Sequence, residues 1–430
     1  MLPGLKISRY ESGDESRIAS LLVDCFETFS SFGMNGEKWL EYQHTDPGLD
    51  LSAAFVARIN SKAIGHVQMV FRDLKIGDTN FVRLACIGNV CVLPEYQRND
   101  VARELLDHVH NQVLNMGLPL AALLVQPGSR AWSLYSKQGY RDVYLLEDVT
   151  CDLEEIRRMI KPLNESKIIV IRDYLSGDEK SMLEIYNFAS SSLVGIQKRD
   201  LDYWKRRYIS VLTYDGFFYE PFDPEKILIA EENGIICGYC FINILKGKGY
   251  IREIFSMPGK EYAIDYLVAK ALEKFSSKDV RGVVFLSMLA SLHPTFRNIL
   301  KSSTVRISPH DQFMIKIISL SALIKSLVPE ILERLKDMHP LNIGLNIDGN
   351  SLALKVESDR IALDSGLEGC NSIFSMNEGS FLKLLFGAAS ADAVIDDAST
   401  TIIPNNEYSK TIFRSLFPRK SFYLSQGDVW

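Results

Sequence analysis

The chain has 430 residues, 47% hydrophobic and 24% charged, with a formal net charge of −6. That length exceeds one ordinary domain and predicts two or three, in a composition typical of soluble globular proteins. A negative net charge without any Lys/Arg-rich run disfavours a nucleic-acid partner, and no apolar run is long enough to span a membrane.

Residues 14–29 place Ile18, Leu21, Leu22, Cys25 and Phe26 at helical spacing, an amphipathic helix. Residues 53–59 and 63–71 alternate as strands around the turn Asn60-Ser61-Lys62, and a further strand covers Phe81–Val92. A helix follows over 101–116, with Val101, Leu105, Leu106, Val109 and Val113 on one face. Residues 121–125 form a buried strand broken by Pro127-Gly128. A short helix then carries Trp132 and Tyr135 and ends at Gly139. These elements make a mixed α/β domain over residues 1–160, and 161–167 reads as a linker.

The same style restarts in a domain over 161–318. A strand at 168–171 precedes a helix at 181–188, and another helix holds Trp204. Strands at 227–230 and 235–245 flank Asn233-Gly234. A strand at 250–255, a helix at 262–275 and a strand at 283–286 complete what reads as a worn copy of the first domain. A third unit, 319–430, opens with a helix at 322–338. Ile343, Leu345 and Ile347, then Asp348-Gly349, then Leu352, Leu354 and Val356 give a hairpin. Residues 373–376 form a strand, and 381–386 a short helix ended by Gly387. The tail keeps Phe413, Leu416, Phe417, Phe422, Tyr423 and Leu424, so the C-terminus is expected to be packed.

The seven cysteines are scattered and odd in number, and Met1–Lys6 has no signal-like apolar core, which together point to a reducing cytoplasm. Cys237 and Cys240 sit three apart on a strand and so face opposite ways, which argues against a metal or redox pair. No histidine lies at metal-ligand spacing. No metal site is expected.

The segment Val90-Cys91-Val92-Leu93-Pro94-Glu95-Tyr96-Gln97-Arg98-Asn99-Asp100-Val101-Ala102-Arg103 runs from a strand through a polar turn into a helix. A helix N-terminus offers unpaired N–H groups and a positive dipole end, which suits a phosphate. The segment resembles motif A of the GNAT acetyltransferases, Gln/Arg-x-x-Gly-x-Gly/Ala. Gln97 and Ala102 match, Arg98 and Arg103 flank the turn, and Asp100 stands where the pattern has Gly. The resemblance implies acetyl-CoA as co-substrate. Main-chain amides of Val90 and Val92, with Cys91 between them, would meet the pantetheine and the thioester. The loop Gln97, Arg98, Asn99, Asp100, Val101, Ala102 and Arg103 would meet the pyrophosphate. After the second copy's corresponding strand comes Ser256-Met257-Pro258-Gly259-Lys260-Glu261, which lacks the motif. That domain is expected to bind no CoA and to frame the acceptor pocket.

Domain order and the segment 371–387 together resemble the Eis-type (enhanced intracellular survival) N-acetyltransferases, whose C-terminal domain is similar to sterol carrier proteins. The expected fold is α/β with mixed sheets: two tandem GNAT-like domains and a small sterol-carrier-like α/β domain, assembled as a homo-oligomer, a hexamer by resemblance. The implied reaction is acetyl transfer to a primary amine, which could be an aminoglycoside, a polyamine or a lysine side chain. Tyr135, in Tyr135-Ser136-Lys137-Gln138-Gly139-Tyr140, matches the family's general acid; its alternative is a core aromatic at a helix end. The α-carboxylate of Trp430 matches the family's general base; its alternative is a packed terminus. A carboxylate ordinarily near pKa 3.5 needs burial or a relay water to serve as base. Glu27 is an acceptor-contact candidate, against a solvated helix face. A non-catalytic scaffold or ligand-binding protein with a decayed CoA loop is the competing function.

Asp100 separates these functions. A carboxylate about 6 Å from a pyrophosphate charge costs on the order of 3 kcal/mol per charge pair at an effective dielectric of about 20. Arg98 and Arg103 offset part of that. Asp is tolerated in left-handed turns and is a good N-cap, so Asp100 is expected to cap the helix at Val101 and to occupy the anion site itself. Weak acetyl-CoA binding, a different acyl donor and lost activity are the three possible results; a working enzyme that binds CoA weakly is the expectation.

Overall fold

The computed structural model describes residues 2–160, 169–209, 211–214, 218–338 and 340–430; the linker expected at 161–167 lies outside them. The fold is mixed α/β. The first part of the chain supplies strands β1 (Lys6–Arg9), β2 (Leu49–Ile59), β3 (Lys62–Lys75), β4 (Phe81–Val92), β5 (Leu120–Val125) and β6 (Arg141–Asp152). After β7 (Ile169–Asp173) come three short strands, β8 (Leu193–Val194), β9 (Val211–Tyr214) and β10 (Phe218–Pro221). Then follow β11 (Ile227–Glu232), β12 (Ile235–Leu245), β13 (Lys248–Ser256), β14 (Gly282–Leu286) and β15 (Arg306–Ile317). Among the described residues, twelve of these strands form one continuous sheet in the order β1-β2-β3-β4-β5-β15-β6-β14-β13-β12-β11-β7.

The two halves of this sheet repeat one plan. An outer strand and an antiparallel hairpin lead to a strand (β4, β13), then a crossover helix, then a parallel strand (β5, β14). The last strand of each half is placed against the other half. β6 pairs with β14, and β15 lies between β5 and β6. Residues just before the 318/319 division therefore complete the sheet of the first half, and neither half closes its own.

Three hairpins are set by their turn residues. Asn60 (φ 49°) with Ser61 (φ 66°), Asn233 (φ 53°) with Gly234 (φ 77°), and Asp348 (φ 46°) with Gly349 (φ 85°) each put two left-handed residues between paired strands. That geometry matches the natural strand twist. The single helix expected over 14–29 is two, α1 (Glu15–Cys25) and α2 (Glu27–Phe32), because Phe26 is extended at φ −133°. The sequence reading passed over α3 (Gly36–Thr45), capped by the Asn35 side chain, which accepts from the Lys38 amide. Next come α4 (Val101–Asn115) and α5 (Arg130–Lys137). Trp204 is a core residue, its ring centroid 5.8 Å from that of Phe241 at an interplanar angle of 21°. Cys237 and Cys240 are both buried thiols in β12.

A separate five-stranded sheet closes the chain, with β16 (Leu341–Ile347), β17 (Asn350–Val356), β18 (Ile361–Asp364), β19 (Ser372–Met376) and β20 (Thr401–Ile403) ordered β18-β17-β16-β19-β20. It is tied to the large sheet by the Ile317 amide, which donates to Glu378 Oε1 at 2.9 Å. The tail returns to the second half as β21 (Ser421–Phe422), parallel to β8. Phe422, Tyr423, Leu424, Val429 and Trp430 are all buried, as the apolar tail predicted.

The exchanged strand makes a testable statement. Residues 1–160 alone lack β15, whose Phe313, Met314 and Ile315 are fully buried, each contributing about 1.5–3 kcal/mol. That fragment is expected to show no cooperative thermal unfolding; a sharp transition by circular dichroism would refute the coupling.

Candidate active site

β4 and β5 are parallel neighbours only at Ala85↔Ala121 and Cys86↔Ala122; beyond Cys86 they part. β4 also carries a bulge. His66 faces Cys91 and Gln68 faces Gly88, so Asn89 and Val90 together oppose one residue of β3, and Asn89 adopts φ 56°. Such a bulge bends a strand and re-aims its backbone. The result is a cleft between two diverging strands, filled from below by α4 and α5.

Two cavities occupy this cleft and share Ala131 as a wall. The first, about 630 Å³, is lined by Val90, Cys91, Val92, Tyr96, Gln97, Arg98, Asp100, Val101, Ala102, Arg103, Arg130, Leu134 and Tyr135. Nine of the ten donor-site residues named from sequence are therefore brought together. Asn99 is the exception: its carboxamide turns back to donate to Gln97 O at 3.1 Å. Gln97 tethers the loop to the strand, donating from Nε2 to Val92 O at 3.1 Å. Arg130, at the start of α5, was not read from sequence; with Arg98 and Arg103 it gives the cavity three guanidiniums.

Asp100 departs from expectation in one respect. It sits at the N-cap of α4 in the left-handed region, φ 60°, where the GNAT pattern has Gly, but its side chain makes no capping hydrogen bond. No amide of α4 donates to its carboxylate. It lies instead 3.6 Å from Arg103 Nη2, with the Asp side chain 54% exposed. The loop's anion site is therefore not filled by its own acid.

Tyr135 lines the donor cavity from α5 and is otherwise buried, and burial, with the Cys91 thiol beside it, raises its phenol above the ordinary value. Tyr140 packs behind it, ring centroids 5.8 Å apart. Its hydroxyl bonds His110 Nε2 at 3.0 Å, and His110 Nδ1 lies 3.3 Å from Lys316 Nζ. Burial, and then Lys316, push His110 down to about 3, so the ring is neutral and Lys316 donates to it.

The second cavity, about 490 Å³, is lined by Phe26, Thr28, Leu124, Val125, Gln126, Ser129, Leu146, His310, Asp311, Leu424, Gln426, Val429 and Trp430. Glu27 does not line it; that side chain is exposed in the first turn of α2, although both its neighbours reach the cavity. From the second half only His310 and Asp311, both on β15, line it, and His310 Nδ1 is 3.1 Å from Asp148 Oδ2. The carboxyl carbon of Trp430 lies 3.8 Å, and its indole Cδ1 3.6 Å, from where a Cβ on Gly88 would stand. The backbone of Trp430 thus lies against β4 at Gly88, and Trp430 and Tyr135 line the two cavities that share Ala131.

Residues 6–143 match the family described as "Acetyltransferase (GNAT) domain". That match spans the N-terminal third of the chain. No curated protein matches the chain. Among solved structures, a GCN5-related N-acetyltransferase from Anabaena variabilis is similar over 99% of this chain and 100% of its own, at 14% identity and TM-score 0.69. One from Kribbella flavida gives 0.67 at 14% identity over 99% and 98%. Eis1 from Mycobacterium abscessus gives 0.62 at 13% identity over 99% and 100%. At these identities the likeness is one of fold, and it extends over the whole chain. Together with the match over 6–143, it places a GNAT-like domain at the start of the chain. Among the described residues no group of three His, Cys, Asp or Glu side chains could hold a metal ion, and no helix is long and apolar enough to cross a membrane.

Substitutions at two positions, Asp100 and Gly88, test the cleft. Because Asp100 is exposed and caps nothing, its penalty on an anion is nearer about 1 kcal/mol than the 3 estimated from sequence. Asp100→Gly should tighten acetyl-CoA binding roughly three- to tenfold by calorimetry without lowering Tm. Unchanged affinity would show that the carboxylate does not act on the donor. Gly88→Ala should be tolerated, since a Cβ makes only ordinary contacts there. Gly88→Leu should displace the tail, seen as a shift in tryptophan emission.

Proposed function

We propose that the protein moves an acyl group from acetyl-CoA to a primary amine by direct attack within the β4–β5 cleft. The observation that carries this reading is the meeting of two cavities at Ala131, with Tyr135 on the donor side and the Trp430 carboxyl group on the other. Acetyl-CoA supplies the activated thioester. Arg98, Arg103, Arg130 and the amides at the start of α4 suit its phosphates. The edge of β4 from Val90 to Val92, without a strand neighbour on that side, suits its pantetheine arm.

An amine reaches this cleft as an ammonium and must lose a proton before its nitrogen can attack the thioester carbonyl. The Trp430 carboxylate is the group we assign to take that proton. The nitrogen–carbon bond then forms as the carbon–sulfur bond breaks, and the nitrogen's second proton leaves to water as the amide forms. Tyr135 donates a hydrogen bond and a share of its proton to the departing sulfur. A phenol raised by burial stays protonated throughout the neutral range, but it gives its proton up less readily than an ordinary one. Its contribution is therefore stabilisation of the thiolate more than complete transfer.

The acceptor side carries Asp311 and the terminal carboxylate, with Asp148 behind His310. That charge favours a cationic acceptor: an aminoglycoside, a polyamine or a lysine side chain. In the second copy the Gly259 amide donates to the chain's own Glu261 at 2.8 Å, which supports a framing role for that half rather than a second donor site. We read the C-terminal unit as sterol-carrier-like and as support for the tail.

A thiol-release assay with acetyl-CoA against gentamicin, spermidine and a lysine peptide tests the reaction; neither turnover nor CoA binding would favour a scaffold instead. Tyr135→Phe should lower kcat about 10²–10³-fold with the acetyl-CoA KM nearly unchanged. The wild-type kcat should show no descending limb below pH ~10, because the Tyr135 phenol ionises above its ordinary value. A peptide appended after Trp430 should abolish turnover while acetyl-CoA still binds; full activity in the tagged protein would remove Trp430 from the mechanism.

A further inference from the structure

Two buried guanidiniums grip the main chain just before Trp430, and a third holds the side chain of Asp428. Arg72, on β3, donates from Nε to Asp428 O at 2.9 Å and pairs with Asp46, Nη1 to Oδ1 at 2.9 Å. Arg207, in the helical turn Trp204–Ile209, donates from Nε to Gly427 O at 2.9 Å and from Nη2 to Val429 O at 2.6 Å. Arg199 pairs with Glu253, Nη2 to Oε2 at 2.7 Å, and with Asp428, Nη2 to Oδ2 at 2.6 Å. The hydroxyls of Tyr203 and Tyr208 each donate to Asp428 Oδ1 at 3.0 Å. All six charged side chains, Arg72, Arg199, Arg207, Asp46, Glu253 and Asp428, are at most 1% exposed.

Two features make this more than a stability device. The bonds fall on three successive carbonyls, 427, 428 and 429, so the main chain is fixed up to the peptide that carries Trp430. And the three cations are matched by three carboxylates, so the cage is neutral as a unit. Each guanidinium is engaged by Asp46, Glu253, Asp428 or a carbonyl, and the terminal carboxylate stands outside these pairs. A carboxylate held directly by Arg would be a poor base, because the cation stabilises its ionised form. One held at a fixed place by its own backbone, with its charge uncommitted, keeps its basicity and its aim.

We propose that Asp428, Arg199 and Arg207 are positioning residues for acyl transfer: they hold the Trp430 carboxylate in the cleft without neutralising it, which gives the second half of the chain a share in placing the base as well as in lining the acceptor cavity. This rests on the assignment of Trp430 as the base.

The experiment uses full-length Asp428→Asn and Arg207→Lys. Asn keeps the size of Asp428 and an acceptor oxygen; Lys keeps a charge beside Asp46 but loses the fork that reaches Val429 O. Release of tryptophan by carboxypeptidase Y reads the anchor independently of activity. It should be slow in the wild type and at least roughly tenfold faster in both variants. With acetyl-CoA and spermidine, kcat near pH 7 should fall roughly 30-fold or more, with the acetyl-CoA KM within about twofold. The deficit should shrink towards pH ~10, where the amine loses its proton in solution and no longer needs a base. Tryptophan release at the wild-type rate in both variants, or a kcat deficit that is constant across pH, overturns the proposal. Normal turnover by the protein tagged after Trp430 instead overturns the assignment of the base, while the release assay still decides the anchor.

Discussion

The constraint on which the rest depends is the burial of three arginines against three carboxylates around residues 427–429. Taking charge out of water is costly, and mutual attraction offsets it only when geometry and hydrogen bonding are nearly complete. Here they are. Burial alone would push the Asp46 carboxyl up, but Arg72 and Arg207 outweigh it and hold it at about 2. Removing one member of such a set leaves its partners charged and dry, at about 3–5 kcal/mol. The members come from three parts of the chain: Asp46 and Arg72 from the first half, Arg199, Arg207 and Glu253 from the second, and Asp428 from the tail. The cage can form only when all three have folded against one another, so the tail's place in the cleft is a property of the whole chain.

The cleft has a similar origin. β5 pairs with β15 along its full length, from Leu120↔Ile317 to Val125↔Gln312, but with β4 at only two positions. A strand so firmly held on one side follows that neighbour and leaves the other. The bulge at Asn89 and Val90 bends β4 away, and the gap between them is where both cavities lie. The exchange of β6 and β15 between halves therefore does two things. It welds the two copies into one sheet, and it holds open the cleft of the first.

Much of this was legible in the sequence where one physical signal dominated. Phe81–Val92 and Ile235–Leu245 were read end to end because a strand's alternation is local. The segment Val90–Arg103 was legible as strand, turn and helix because its apolar alternation stops at Pro94 and helical spacing starts at Val101. α3 was missed because Trp39 and Tyr42 are its main apolar anchors amid Glu, Lys and Gln. β15 was missed because its first half, Arg306–Asp311, is polar and broken by Pro309, and only its pairing with β5 and β6 makes it a strand. The buried arginines were invisible for a different reason. An arginine paired 229 residues away, as Arg199 is with Asp428, leaves no periodic trace. Arg72 gave a hint, since it follows the apolar run Met69-Val70-Phe71 within one strand.

Asp100 and Glu261 show what the two copies have done with the same turn. In the second copy Glu261 takes the Gly259 amide, so a carboxylate already fills part of the place an anion would use. In the first copy Asp100 accepts the left-handed geometry that glycine normally provides, yet directs its carboxylate towards Arg103 and takes no amide of α4. An acid in a phosphate loop is harmful in proportion to how far it competes for the loop's donors and how dry its surroundings are. Asp100 competes for none and stands half in water, so the N-terminus of α4 keeps its donors free for an anion, and Arg98, Arg103 and Arg130 keep the field around it positive. The two turns differ less in the presence of a carboxylate than in where it points: Glu261 accepts the Gly259 amide, and Asp100 accepts no amide of α4.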